Sequence, residues 1–175
     1  MRVLSLLLAI CTLALTLEPS ASAQTSQEDV KATFIYRFAS FVTWPAASFP
    51  ESTTPVQVCV IGAEPLERAL SHTTANQHVG ARSFSVRRVA DADDIGACHL
   101  LYVVGDRSEA ALRAARRHSV LTITDGGDER GIIHFTVVDA RVRFYIDDAL
   151  AAEGGLSVDP RLLNLALSVR RRAVS

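Results

Sequence analysis

The segment Val30–Pro45, VKATFIYRFASFVTWP, sets the first element. Val30, Phe34, Phe38 and Phe41 recur at helical spacing on one stripe. Ile35, Ala39 and Val42 widen that stripe beyond a narrow seam. Thr25 and Glu28 make a T-x-x-E capping box ahead of it. Pro45 disfavours helical geometry at Trp44, so the spacing predicts a helix ending near Trp44. Phe34, Tyr36, Phe38, Phe41 and Trp44 crowd into this one stretch of a chain holding seven Phe, three Tyr and one Trp. Tyr36 lies off the stripe and Trp44 leaves the helix at the proline stop. The apolar surface is therefore wider than one sheet face needs, and Tyr36, Phe41 and Trp44 are the candidate dimer or partner contacts.

Strand and helix patterns then alternate. VQVCVIG (Val56–Gly62) and CHLLYVVG (Cys98–Gly105) are continuous apolar runs, as in strands buried on both faces. SFSVRRV (Ser83–Val89) alternates, which suits a strand nearer an edge, and VLTIT (Val120–Thr124) is a further strand. EPLERALSHT, with Pro65 near its start, and SEAALRAARRH (Ser108–His118) are helices, the second acidic early and basic late. IIHFTVV and RVRFYI flank Asp139-Ala140 as a β-hairpin. DDALAAEGG is a short helix stopped by Gly154-Gly155. Asp159-Pro160 opens a last helix carrying Leu162, Leu163, Leu165, Ala166 and Val169. This is an α/β pattern: a mostly parallel central sheet flanked by helices, with a C-terminal hairpin and terminal helix.

Residues 1–23 read as a cleavable secretory signal: Arg2, then an apolar core, then an A-x-A site ending at Ala23. A lipid anchor at Cys11 is disfavoured by Ile10, where a small residue would be needed. Residues 24–175 then form one domain of the exported, periplasmic chain. A formal net charge of −1 carries no basic patch for nucleic acid. Cys11 leaves with the signal, and Cys59 and Cys98 remain as an even pair in an oxidising compartment. A bridge and two buried free thiols are the alternatives.

No catalytic set emerges. GGDER (Gly126–Arg130) resembles the GGDEF signature of diguanylate cyclases, but Arg130 replaces its Phe and the surrounding chain is too short; a Gly-rich turn is the ordinary reading. His72, His78, His99, His118 and His134 show no metal-ligand spacing, and no G-x-S-x-G elbow is present. Asp93-Asp94 and Asp147-Asp148 read as helix-end charges, and Arg170–Arg172 as a solvated tail near a helix C-terminus. No metal, cofactor or catalytic residue is expected.

Four stretches together resemble the YfiR family of periplasmic regulators: VKATFIYRFASFVTWP, VCVIGAEPL, CHLLYV and GIIHFTVVDARVRFYIDDALAAEGGLSVDPRLLNLA. The resemblance spans almost all of the chain after the signal. It implies a non-enzymatic repressor that binds the periplasmic domain of an inner-membrane diguanylate cyclase and lowers cyclic-di-GMP. It also implies a homodimer, an outer-membrane peptidoglycan-associated lipoprotein as sequestering partner, and a strand-borne disulfide where Cys59 and Cys98 fall. Asp147 stands where members commonly have Asn, a second cysteine pair found in some members is absent, and GDERGII is more polar than the family's usual segment. A periplasmic small-ligand binding module is the alternative function.

Overall fold

The computed structural model describes residues 26–90 and 92–173. Helix α1 (Gln27–Phe38) is opened by Ser26, whose Oγ accepts the Asp29 N–H at 3.1 Å while Asp29 accepts the Ser26 N–H at 3.2 Å. This capping box lies one residue beyond the expected Thr25/Glu28 pair, and Thr25 is outside the described residues. The helix also ends six residues before Trp44. Ala39 caps it, and Val42–Thr43 forms a strand, β1, antiparallel to Ser157–Val158. The β-branched pair finds ladder partners there, and the Asp159 N–H donates to the Phe41 carbonyl at 2.8 Å, so tertiary pairing overrides the helical period.

The remaining elements are β2 (Val56–Ile61), α2 (Glu64–Thr74), β3 (His78–Val79), β4 (Arg82–Arg88), β5 (Leu100–Val103), α3 (Ser108–Ala115), β6 (Leu121–Asp125), β7 (Ile133–Val138), β8 (Arg141–Asp147), α4 (Asp148–Glu153), β9 (Ser157–Val158), α5 (Pro160–Leu163) and β10 (Val169–Arg170). The main sheet runs β10-β8-β7-β6-β5-β2-β4-β3. Strands β4, β2, β5, β6 and β7 are parallel. Strand β8 returns antiparallel through a two-residue turn, where Asp139 and Ala140 have φ of 49° and 58°, the left-handed pair that suits the twist of a tight hairpin. From β2 the chain steps outward to β4, then crosses to β5 on the other side, as in doubly wound sheets.

Alternation along β2 divides the core. Val56, Val58 and Val60 face α1 and α2, with Ile35, Phe38, Leu66 and Leu70. Cys59 and Ile61 face α3, with Ile95, Leu101, Ala111 and Leu112. The predicted aromatic stripe is rotated: Ala32, Ile35, Phe38 and Ala39 are buried, whereas Val30, Phe34 and Phe41 pack against the core half-buried. Phe38 stacks on Phe135 at 6.0 Å and meets Phe144 edge-on at 5.2 Å, so α1 rests on the hairpin.

The terminal helix is a single turn. Leu162 is buried, Leu165 is exposed, and the chain then extends so that the Leu167 N–H donates to the Phe144 carbonyl at 2.9 Å and β10 pairs with Ile146 and Asp147. Arg170 to Arg172 are exposed, as expected, but Arg170 and Arg172 are tied down beside a strand and not at a helix C-terminus. Arg172 grips Asp148 with two hydrogen bonds of 2.6 and 2.8 Å, and Arg170 holds Asp147 at 2.8 Å. The edge of β8 and two carboxylates at the start of α4 draw the chain out of the helix.

Candidate interaction surface

Tyr36, Phe41 and Trp44 are each half-buried, and each packs on a different element. Tyr36 meets Phe84 of β4 edge-on at 6.2 Å, with Arg37 donating to its hydroxyl at 3.3 Å. Phe41 lies under the Arg161 guanidinium of α5 at 5.5 Å. Trp44 stands edge-on to Phe49 at 6.0 Å and to His99 at 6.3 Å. Phe41 and Trp44 flank β1, which β9 pins; Tyr36 sits apart, on α1. The Trp44 indole N–H is enclosed and, among the described residues, has no hydrogen-bond partner. Removing a donor from water without a partner costs about 1–3 kcal/mol, so something else must hold this indole in place.

What holds it is a stack at the N-terminal edge of the sheet. The rings of Phe49 and His99 lie parallel, 4.1 Å apart and inclined by 2°. The Arg82 guanidinium covers Phe49 at 4.0 Å and donates to the carbonyls of Glu51 and Thr54 at 2.6 and 2.9 Å. His99 Nδ1 accepts the Gln57 N–H at 3.0 Å, and Nε2–H donates to the Ser48 carbonyl at 2.9 Å. Burial holds the imidazole below its usual value; the Ser48 carbonyl opposes that shift and the Arg82 charge adds to it. Sequence reading left His99 as a scattered histidine and passed over Phe49 and Arg82. Their one signal was a histidine at the mouth of a buried strand, since the three residues share no motif.

At the opposite, C-terminal edge, Lys31 of α1 forms an enclosed ion pair with Asp125 at the end of β6, and the Tyr102 hydroxyl donates to Asp125 at 3.1 Å. Burial and the Asp125 carboxylate push the Tyr102 hydroxyl strongly up, so it remains a donor. The expected turn after Asp125 is present, with Gly126 and Gly127 at φ of 66° and 67°. The node fastens α1 to the sheet.

Cys59 and Cys98 form a disulfide between β2 and the approach to β5, with Cα atoms 5.9 Å apart. Both are buried in the core layer facing α3, and Arg87 approaches the Cys98 sulfur at 3.6 Å. A cleft lined by Leu112, Val120, Ile132 and Leu150, with Arg116 and Glu153, has a volume of about 70 Å³. That is far below the ~300–1,000 Å³ of ligand pockets. Among the described residues, no helix is long and apolar enough to cross a membrane.

No curated protein matches the chain. The YfiR/HmsC-like family model matches residues 28–167, from the first turn of α1 to the approach to β10, and the chain belongs to the YfiR/HmsC-like family.

Proposed function

We propose that this protein is an exported, non-enzymatic signalling regulator that binds the periplasmic domain of an inner-membrane diguanylate cyclase and restrains it, lowering cyclic-di-GMP. The observation carrying this reading is the family match over residues 28–167, which takes in both the aromatic opening segment and the closing hairpin. Residues 24–175 act as one domain released from a leader at 1–23. The chain works as a homodimer, and an outer-membrane peptidoglycan-associated lipoprotein relieves the restraint.

Half-buried aromatic rings beside arginines, as at Phe41 with Arg161 and at Tyr36 with Arg37, are the composition of binding hot spots. Tyr36, Phe41 and Trp44 are therefore assigned to dimer or partner contact. Deleting the gene is expected to raise cyclic-di-GMP, and the tagged protein to retain a membrane cyclase in pull-down. Unchanged cyclic-di-GMP together with no recovered cyclase would overturn the reading. Trp44→Ala that keeps stability, dimerisation and cyclase control together would remove Trp44 from the contact.

A further inference from the structure

Among the described residues, the hydrogen bonds that tie the segment 46–54 to the sheet come from two side chains, Arg82 and His99. The His99 ring serves only as one neutral tautomer. Its Nδ1 must be an acceptor for the Gln57 N–H, so the proton sits on Nε2, where it reaches the Ser48 carbonyl. Neither partner can move aside. Gln57 is locked in register with Ser85 of β4, and the His99 backbone N–H donates to the Gln57 carbonyl at 2.9 Å. A second proton on the ring would point a donor at a donor.

Of the groups around the ring, the Ser48 carbonyl favours an imidazolium, but burial outweighs it. Ser48 and Phe49 face it from the segment itself, Trp44 from the end of β1, and Gln57 from β2. From β4 comes Arg82, whose positive charge lies across the Phe49 ring and acts on the imidazole. Among the described residues, no carboxylate is a cause of its shift. A charged ring must rotate out, which gives up the Ser48 hydrogen bond and the Phe49 stack in one movement.

We propose that residues 44–50 form a proton-operated strap, hinged where Arg82 keeps hold of the Glu51 and Thr54 carbonyls: protonation of His99 releases these residues from the sheet edge and uncovers the aromatic faces of Phe49 and Trp44. Release is built into the fold and holds whatever the partner is. Its midpoint lies below the ordinary imidazole value of 6.5, because the closed strap keeps the ring neutral. Within the window between the closed and free values, opening grows by up to about tenfold per pH unit.

Trp44 is the one tryptophan of the chain, so its emission reports the strap directly. The protein is titrated from about pH 7.5 to about pH 5, across the histidine range. Expected are a red shift, a rise in acrylamide quenching and, after correction for intrinsic rates, faster amide exchange in 46–50 with β5 and β6 still protected. His99→Gln, neutral throughout, should flatten the response, while His134→Gln should keep it. An unchanged Trp44 signal and unchanged exchange in the wild type would overturn the proposal, as would a response that survives intact in His99→Gln. If His99→Gln does not fold, site-resolved titration of the wild-type ring decides: strap exchange must follow the His99 midpoint, and a midpoint that differs overturns the proposal.

Discussion

Removal of the Cys59–Cys98 bridge has a magnitude that follows from its place in the chain. The two cysteines are separated by 39 positions. Loop-closure entropy for a loop of that size is about 13 cal/mol/K, or about 4 kcal/mol near room temperature. For a domain of roughly 150 residues, that corresponds to a fall in melting temperature of about 8–16 °C. The double variant Cys59→Ala/Cys98→Ala adds the loss of two buried sulfurs and should fall at least as far. Burial also shapes the kinetics. Cys59 is 0 % and Cys98 4 % exposed, so a reductant reaches the bridge only after local opening. The assay pairs thermal melts of oxidised, reduced and double-variant protein with reduction rates over a range of reductant concentration. Melting should drop as stated, and the reduction rate should level off at high reductant. Equal melting of oxidised wild type and double variant, or free thiols at both positions in the exported protein, would refute the reasoning.

Arg172→Ala should destabilise by roughly 1–3 kcal/mol in urea denaturation, because it strips two charge-assisted hydrogen bonds from an Asp148 side chain that is 7 % exposed, discounted because Arg172 itself is 43 % exposed. The hydrogen bonds from Arg172 hold the Asp148 carboxyl below its usual range, so this stability is present above pH ~4 and is lost as pH falls through the carboxylate range; the gap between variant and wild type should narrow there. Gly62→Ala should cost more than about 3 kcal/mol, since φ is +80° and a Cβ would lie 2.4 Å from the Val104 carbonyl oxygen, whereas Gly80→Ala, with φ of +60° and open space, should cost about 1–2 kcal/mol. Phe38→Ala should lose about 3–5 kcal/mol and half-buried Phe41→Ala about 1–2 kcal/mol; equal losses would contradict the observed rotation of α1.

Much of the fold is legible in the pattern. β2 and β5 are buried on both faces, and continuous apolar runs announce such strands. Alternation and a two-residue gap mark the β7–β8 hairpin, although Asp-Ala is not the usual pair for two left-handed residues. Failures lie where a distant partner decides. Val42 and Thr43 continue the helical period of α1, and only β9 makes them a strand. Leu165 and Ala166 look helical until the free edge of β8 and the Asp147–Asp148 pair claim the chain beyond them. The strap is illegible for the same reason: Ser48, Gln57, Arg82 and His99 meet only after β2 has paired in parallel with both β4 and β5, and no local spacing encodes that meeting.

The position of α1 has a consequence for the order of folding. The rings on which Phe34 and Phe38 pack, Phe135 and Phe144, lie on the order of 100 residues downstream, so this part of the helix emerges long before its aromatic bed. A short isolated helix is marginal in water, and the segment must wait as a sticky, half-formed strip while β2 to β6 assemble. Only the hairpin completes its bed, and β9 then ties down β1. Productive folding therefore closes from the last third of the chain back onto the first. A stall or truncation before β7 would leave Phe34 and Phe38 without their aromatic bed, which is the condition under which folding intermediates aggregate or need a chaperone.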